Sequence, residues 1–440
     1  MRRRVFLSGL FLTGVGLPVL AGCKLPWQSK GQAGSTSASA SADKSSGTAV
    51  PAASGAPQGW QELDAHVMGH HLGIQVSPLV RRDETTTVLA LKLTRAKDDP
   101  AVKDIAESTS DSSSNTLEAS RPLSRPGRLR TSDWGANGVR LLDLPTNRAW
   151  VATASIENKV KDNYNKLSLK PGESTSCFVL FGPVDAKKVT VFVPQAGFVT
   201  VNVLDSSAAA ASGIDFSGKG ESEPKIKDTS DEARAVNRRV EITLTPTGGT
   251  TTKNTPTPTN GSSATPNPTS SKLPGPKGPV AKGADGVTVK HDNGAQLTIT
   301  VDHLTRANGY LLGQLHTTIN AKTDSAPSGL ERWLGDKEVL FSNSRSEDGS
   351  SEPTERAADG LTLLAGGERI YPADYLDAGF KTHVPLTELQ LTPHIKAGTT
   401  TVCVVWPDPG GDTITLDHAA PTKHITDLAF RLTDIPIKNT

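Results

Sequence analysis

Apolar and polar residues alternate in short runs along most of this chain. In KVTVFV, Val189, Val191 and Val193 fall on one side of an extended segment. Similar runs recur at residues 72–80, 87–93, 139–144, 177–181 and 198–204. Each is rich in Val, Leu, Thr and Phe and is bounded by turn residues. No amphipathic-helix pattern separates them, so the first half is expected to fold as an antiparallel β-sandwich.

The second half repeats the pattern. KPGESTSCFVL at Lys170 lines up with KAGTTTVCVVW at Lys396, and GHHLGIQVSPLVR at Gly69 with GAQLTITVDHLTR at Gly294. Leu72, Ile74 and Val76 thereby match Leu297, Ile299 and Val301. GVRLLDL at Gly138 matches GLTLLAG at Gly360, with Trp150 and Tyr371 soon after each. Blocks in one order at nearly one spacing predict a duplicated domain, copy one at residues 60–205 and copy two at 286–440. Cys177 and Cys403 align as equivalent positions. They read either as small buried hydrophobes or as a disulfide between the copies.

Both copies resemble the immunoglobulin-like modules of bacterial surface lipoproteins, without the tryptophan-plus-disulfide signature of antibody domains. The fold class expected is all-β: two Ig-like antiparallel β-sandwich domains joined by disordered linkers. The Thr/Pro-rich stretch 248–285 reads as a semi-rigid spacer, so the sandwiches need not touch. The copies differ most in two long insertions, at residues 105–135 and 321–360. These read as decoration, or as binding loops anchored by Trp134, Trp333 and nearby arginines.

The N-terminus sets an expectation for the compartment. MRRRVFLSGLFLTGVGLPVLAGC has a basic start, an apolar run and a small-residue end, the anatomy of an export signal over residues 1–22. The apolar run is short for a membrane span of about 20 residues. Its end, Leu20-Ala21-Gly22-Cys23, resembles the bacterial lipobox. That resemblance implies a diacylglycerol on the Cys23 sulfur, and so a membrane-lipid partner. It places the chain on the outer face of the cell membrane. Arg3 and Arg4 open an R-R-x-F-L run that resembles a twin-arginine signal and equally fits an ordinary basic start. Residues 23–59, with a Ser/Ala/Gly/Pro tail, read as a flexible tether whose mean reach is roughly 30 Å.

Composition narrows the partners. The 440 residues are 35% hydrophobic and 5% aromatic, which fits modest domains separated by polar linkers. With 47 basic and 46 acidic residues, no net field favours nucleic acid. Three cysteines exclude a disulfide-stapled scaffold.

GKGESEPKIKDTSDEARAVNRRVEITL, within residues 206–247, resembles the C-terminal part of the OmpA-like domain. Arg234, Asn237, Arg238 and Arg239 fit its R-x-x-N-R-R run, which leads into a final strand. That family binds peptidoglycan through an Asp and an Arg lying further upstream, and neither motif occurs here. The segment therefore reads as a relic, one strand plus a loop, and no peptidoglycan-binding residue is transferred. The Arg-Ala pair of LTRAKDD is paralleled by LTRAN in the second copy.

Other chemistry finds little footing. Asp64, His66, His70 and His71 lie close enough to suggest zinc. However, His66 and His70 are expected on one face and His71 on the other, so no metal ligand is assigned. Asp408 in DPGGD suits calcium less than a hairpin turn. Neither a nucleophile elbow nor a phosphate loop is present. The expectation is a non-enzymatic envelope protein without a cofactor, its domains meeting an envelope or cell-wall partner. The alternatives are an OmpA-like peptidoglycan-binding lipoprotein and a metal- or solute-binding accessory protein.

Overall fold

A computed structural model describes residues 59–102, 115–124, 135–153, 167–218, 240–244, 275–290, 296–320, 358–377, 382–389, 397–419 and 429–440. Arg3, Arg4, Cys23, Trp134, Arg234, Asn237, Arg238, Arg239 and Trp333 lie outside them. Among the described residues, no helix is long and apolar enough to cross a membrane.

Copy one begins with a hairpin of β1 (Gln61–Val67) and β2 (His70–Val76). Its turn, Met68-Gly69, has positive φ at both positions (53° and 82°), the geometry that matches strand twist in a two-residue loop. The chain continues through β3 (Leu79–Arg81), β4 (Thr87–Arg95), β5 (Leu117–Glu118), β6 (Arg140–Asp143) and β7 (Arg148–Val151). It closes with β8 (Ser168–Leu169), β9 (Ser174–Phe181), β10 (Lys188–Val193) and β11 (Gly197–Asp205). The strands pair in the order β1-β2-β4-β3-β11-β10-β6-β7, with β9 on β4 and β5 against β8.

The expected strand 72–80 is broken at Ser77-Pro78. Pro78 has no N–H for the ladder, and Ser77 Oγ accepts the Ala90 N–H instead (2.9 Å). Both halves stay on β4, and β3 also runs parallel to β11. This pairing departs from a purely antiparallel sandwich.

Copy two has the same order. Its strands are β14 (Val280–Lys282), β15 (Val287–Lys290), β16 (Gln296–Thr300), β17 (Leu304–Ala307) and β18 (Tyr310–Asn320). Then follow β19 (Thr362–Ala365), β20 (Glu368–Ile370), β21 (Asp374–Asp377) and β22 (Thr382–Pro385). β23 (Ala397–Pro407), β24 (Thr413–His418) and β25 (Phe430–Asn439) complete it. The path is β15-β16-β18-β17-β25-β24-β19-β20, with β23 on β18 and β21 against β22. β17 is again parallel to β25. β14 also lies on β25, so the segment expected as spacer up to residue 285 contributes a strand of the second sandwich.

Each copy has its own core. Leu72, Ile74, Leu89, Leu91, Phe181 and Val191 are buried in the first, and Leu297, Ile299, Leu315, Val404, Trp406 and Leu432 in the second. The matched positions obey the repeat, with one slip. Ile74 faces Leu93, which faces Thr175; Ile299 faces Thr317, which faces Thr400. Thr175 therefore corresponds to Thr400, and Cys177 to Val402, not to Cys403. A one-residue slip in a strand reverses the face. Cys177 points into the core of copy one and Cys403 points out of copy two.

After copy one, Ser206–Ala209 forms a helical turn, followed by a 3-10 turn at Ala210–Ser212. β12 (Ile214–Gly218) and β13 (Val240–Leu244) then pair as an antiparallel ribbon, so this segment supplies two strands rather than one. Ile214 is buried against Val80 and Ala209, fastening the ribbon's start to copy one.

Candidate binding cleft between the two sandwiches

The two copies do not stay apart. Leu142, Leu144 and Phe192 of copy one form one buried cluster with Ala307, Leu312, Leu386, Cys403 and Val405 of copy two. The local reason is strands that are apolar on both faces. On β10, Val189, Val191 and Val193 enter the core of copy one, while Phe192 points the other way. On β23, Val402, Val404 and Trp406 point inward, and Cys403 and Val405 outward. Burying a side chain of this size contributes about 1.5–3 kcal/mol.

Polar groups lock this seam. Arg140, 2% exposed, donates from Nη2 to the Thr387 carbonyl (2.8 Å), and its guanidinium lies 4.0 Å from the Phe192 ring centroid. The Gln195 N–H donates to Glu388 Oε2 (2.8 Å), and Gln195 Oε1 accepts the Met68 N–H (2.9 Å). Tyr310 donates its hydroxyl to Asn147 Oδ1 (2.6 Å). Glu388 is fully buried, and loss of hydration pushes its carboxyl up to about 8; the Gln195 N–H and Arg140 pull against that shift. At the hairpin tip, Gly398 (φ 107°) touches Gly69, where a Cβ would sit 2.9 Å from Gly69 Cα. Met68 packs against both cores.

The hairpin turn rearranges the histidines. His66 faces His71 across β1 and β2, and their rings stack at 5.3 Å. His70 lies on the opposite, buried side, so the expected sharing of one face by His66 and His70 is corrected. His70 Nδ1 is 2.7 Å from Asp99 Oδ2, which also accepts from Arg95 Nε (2.6 Å). Asp64 bonds His71. Across the seam, His316 meets His66 edge-on at 5.9 Å, and Thr401 Oγ1 accepts the His66 N–H (3.3 Å). Burial and the two neighbouring imidazoles lower the pKa of His66. Among the described residues, no group of three or more His, Cys, Asp or Glu side chains is placed to hold a metal ion.

The remaining sequence candidates have structural roles. Arg95 is fully buried and also donates to the Asn115 carbonyl (2.9 Å) and the Pro100 carbonyl (2.7 Å). Its strand, β4, is the counterpart of β18, so LTRAN, which begins β17, is not its parallel. Asp408 accepts from Arg306 Nε (2.6 Å) and the Gly410 N–H (2.9 Å), an Asx turn. Cys177 and Cys403 are both free and buried. The disulfide alternative is absent, and burial raises both thiols, Cys177 to about 12.

Beyond the apolar seam the facing sheets part. β18 presents Leu312, Gln314 and His316 from alternate positions, and β10 and β11 present Thr190, Phe198 and Thr200 opposite them. Thr190 and Thr200 are direct cross-strand partners, as are Phe192 and Phe198. Between them lies a cleft of about 270 Å³. Sequence reasoning missed it because its two walls lie far apart in the chain. The outward-facing Phe192 of KVTVFV was the available signal.

The chain matches no family model, no curated protein and no solved structure. The cleft is therefore read from its own chemistry. Its walls carry hydroxyl, carboxamide and imidazole groups over an apolar floor of Phe198 and Leu312. Such a surface suits binding.

Proposed function

We propose that this chain is a lipid-anchored envelope protein that presents a double-sandwich binding body outside the membrane. The observation that supports the binding role is the buried seam. Leu142, Phe192, Cys403 and Val405 join the two sandwiches, giving fixed walls to the cleft between them. Rigid scaffolds hold binding groups in place at lower entropic cost than independent domains. The anchor rests on Leu20-Ala21-Gly22-Cys23 and the basic, apolar segment before it. A thioether diacylglycerol, joined by an acyl chain on the amine, gives the multiple chains that stable anchoring needs.

The test is metabolic labelling with palmitate. Label should enter the protein, and Cys23→Ala should abolish labelling and move the protein from the membrane to the soluble fraction. Unlabelled protein, or a Cys23→Ala variant that stays in the membrane fraction, contradicts the anchor. Retention of that soluble variant on purified peptidoglycan, lost on replacing Arg234 or Arg239, would instead favour an OmpA-like wall-binding role.

A further inference from the structure

The cleft carries an inference that does not depend on where the chain is anchored. Its polar lining has a distinctive makeup. A threonine hydroxyl, a glutamine carboxamide and an imidazole can each donate and accept hydrogen bonds. Thr190, Thr200, Gln314 and His316 are all of this kind. An anion site would show unpaired Arg or Lys, and a cation site unpaired carboxylates. Here the charged groups at the rim answer one another. Asp302 Oδ2 lies 2.7 Å from His303 Nδ1 and 3.5 Å from Lys438 Nζ. The floor is apolar, with Phe198 against the copy-one wall and Leu312 against copy two.

Groups that both donate and accept, set around an apolar floor with the rim carboxylate of Asp302 paired, match a ring with C–H groups on its face and hydroxyls on its edge. The volume, about 270 Å³, falls just below the usual span of ligand sites (about 300–1,000 Å³), so it admits one such ring and not a chain of them. We infer that the cleft binds a single neutral sugar ring, its face on Phe198 and Leu312 and its hydroxyls on Gln314, His316 and the threonines. The ring can come from a free sugar or from the end of a glycan.

Gly197 supports the arrangement. At φ 127°, its missing side chain leaves room for Gln314, whose Nε2 would lie 2.4 Å from a Cβ there. Gln314 is thereby held against the cleft wall.

Saturation-transfer NMR on the full-length chain, in a zwitterionic detergent free of glycosides, tests the assignment. The probes are methyl β-glucopyranoside and a soluble β-linked glucose tetrasaccharide. Transfer to the methyl glycoside assigns a free sugar, and transfer to the tetrasaccharide alone assigns a glycan end. Thr200 is exposed on the rim, so Thr200→Trp fills the cleft without disturbing the core. It should weaken binding at least tenfold while the circular dichroism spectrum and unfolding midpoint stay unchanged. His316→Ala should weaken binding similarly. Transfer to neither probe overturns the inference, as does transfer that persists in folded Thr200→Trp.

Discussion

Single residues set the character of the seam, and Glu388 most of all. Folded, its carboxyl keeps its proton up to about pH 8, against an ordinary value of 4.5. The folded chain therefore holds an extra proton between these limits. The stabilising contribution is full below 4.5 and falls as pH rises toward 8. Glu388→Gln keeps an oxygen acceptor for the Gln195 N–H and removes the titration. The variant should lose less stability than the parent between pH 5 and 8, the difference at pH 8 being on the order of 4 kcal/mol. Urea unfolding at both pH values measures this. Parallel pH profiles for the two proteins would contradict the burial of an ionisable carboxyl there.

Elements show what could be read from the chain and what could not. Leu72, Ile74 and Val76 alternate cleanly because only one face of β2 meets a core, so period two was visible. β10 and β23 are buried on both faces, which hides the alternation that distinguishes core from seam. Cys403 therefore aligned with Cys177 by residue type, although the strand register places it one residue on. The histidines failed for a related reason. A two-residue turn at Met68-Gly69 folds His66 back onto His71, and an alternation count along one strand cannot represent that. The hairpin tip also gives a sharp prediction. Gly398→Ala puts a Cβ 2.9 Å from Gly69 in a left-handed backbone, so it should destabilise the chain by about 1–3 kcal/mol. Ala at Gly410, also at positive φ (83°) but with nothing within 4 Å, should cost less. Equal losses in thermal unfolding would argue against close approach of the hairpin to β23.

At the scale of the molecule, duplication explains the common strand order, but it does not explain the seam, whose halves are unlike. Copy one offers Phe192, Leu142 and Arg140, and copy two offers Cys403, Val405 and Glu388. Such division of labour follows when two copies of one domain bury different outer faces against each other. The compartment, by contrast, rests on the first residues of the sequence and on the chemistry of Cys23.

The most direct test of the joined body is differential scanning calorimetry of the full-length chain with Phe192→Ala beside it. Because both sandwiches share the Phe192 cluster, the account predicts one cooperative transition. Removing the ring should lower it as a whole, by about 3–5 kcal/mol. Two separate transitions, with Phe192→Ala moving only the one from copy one, would contradict it.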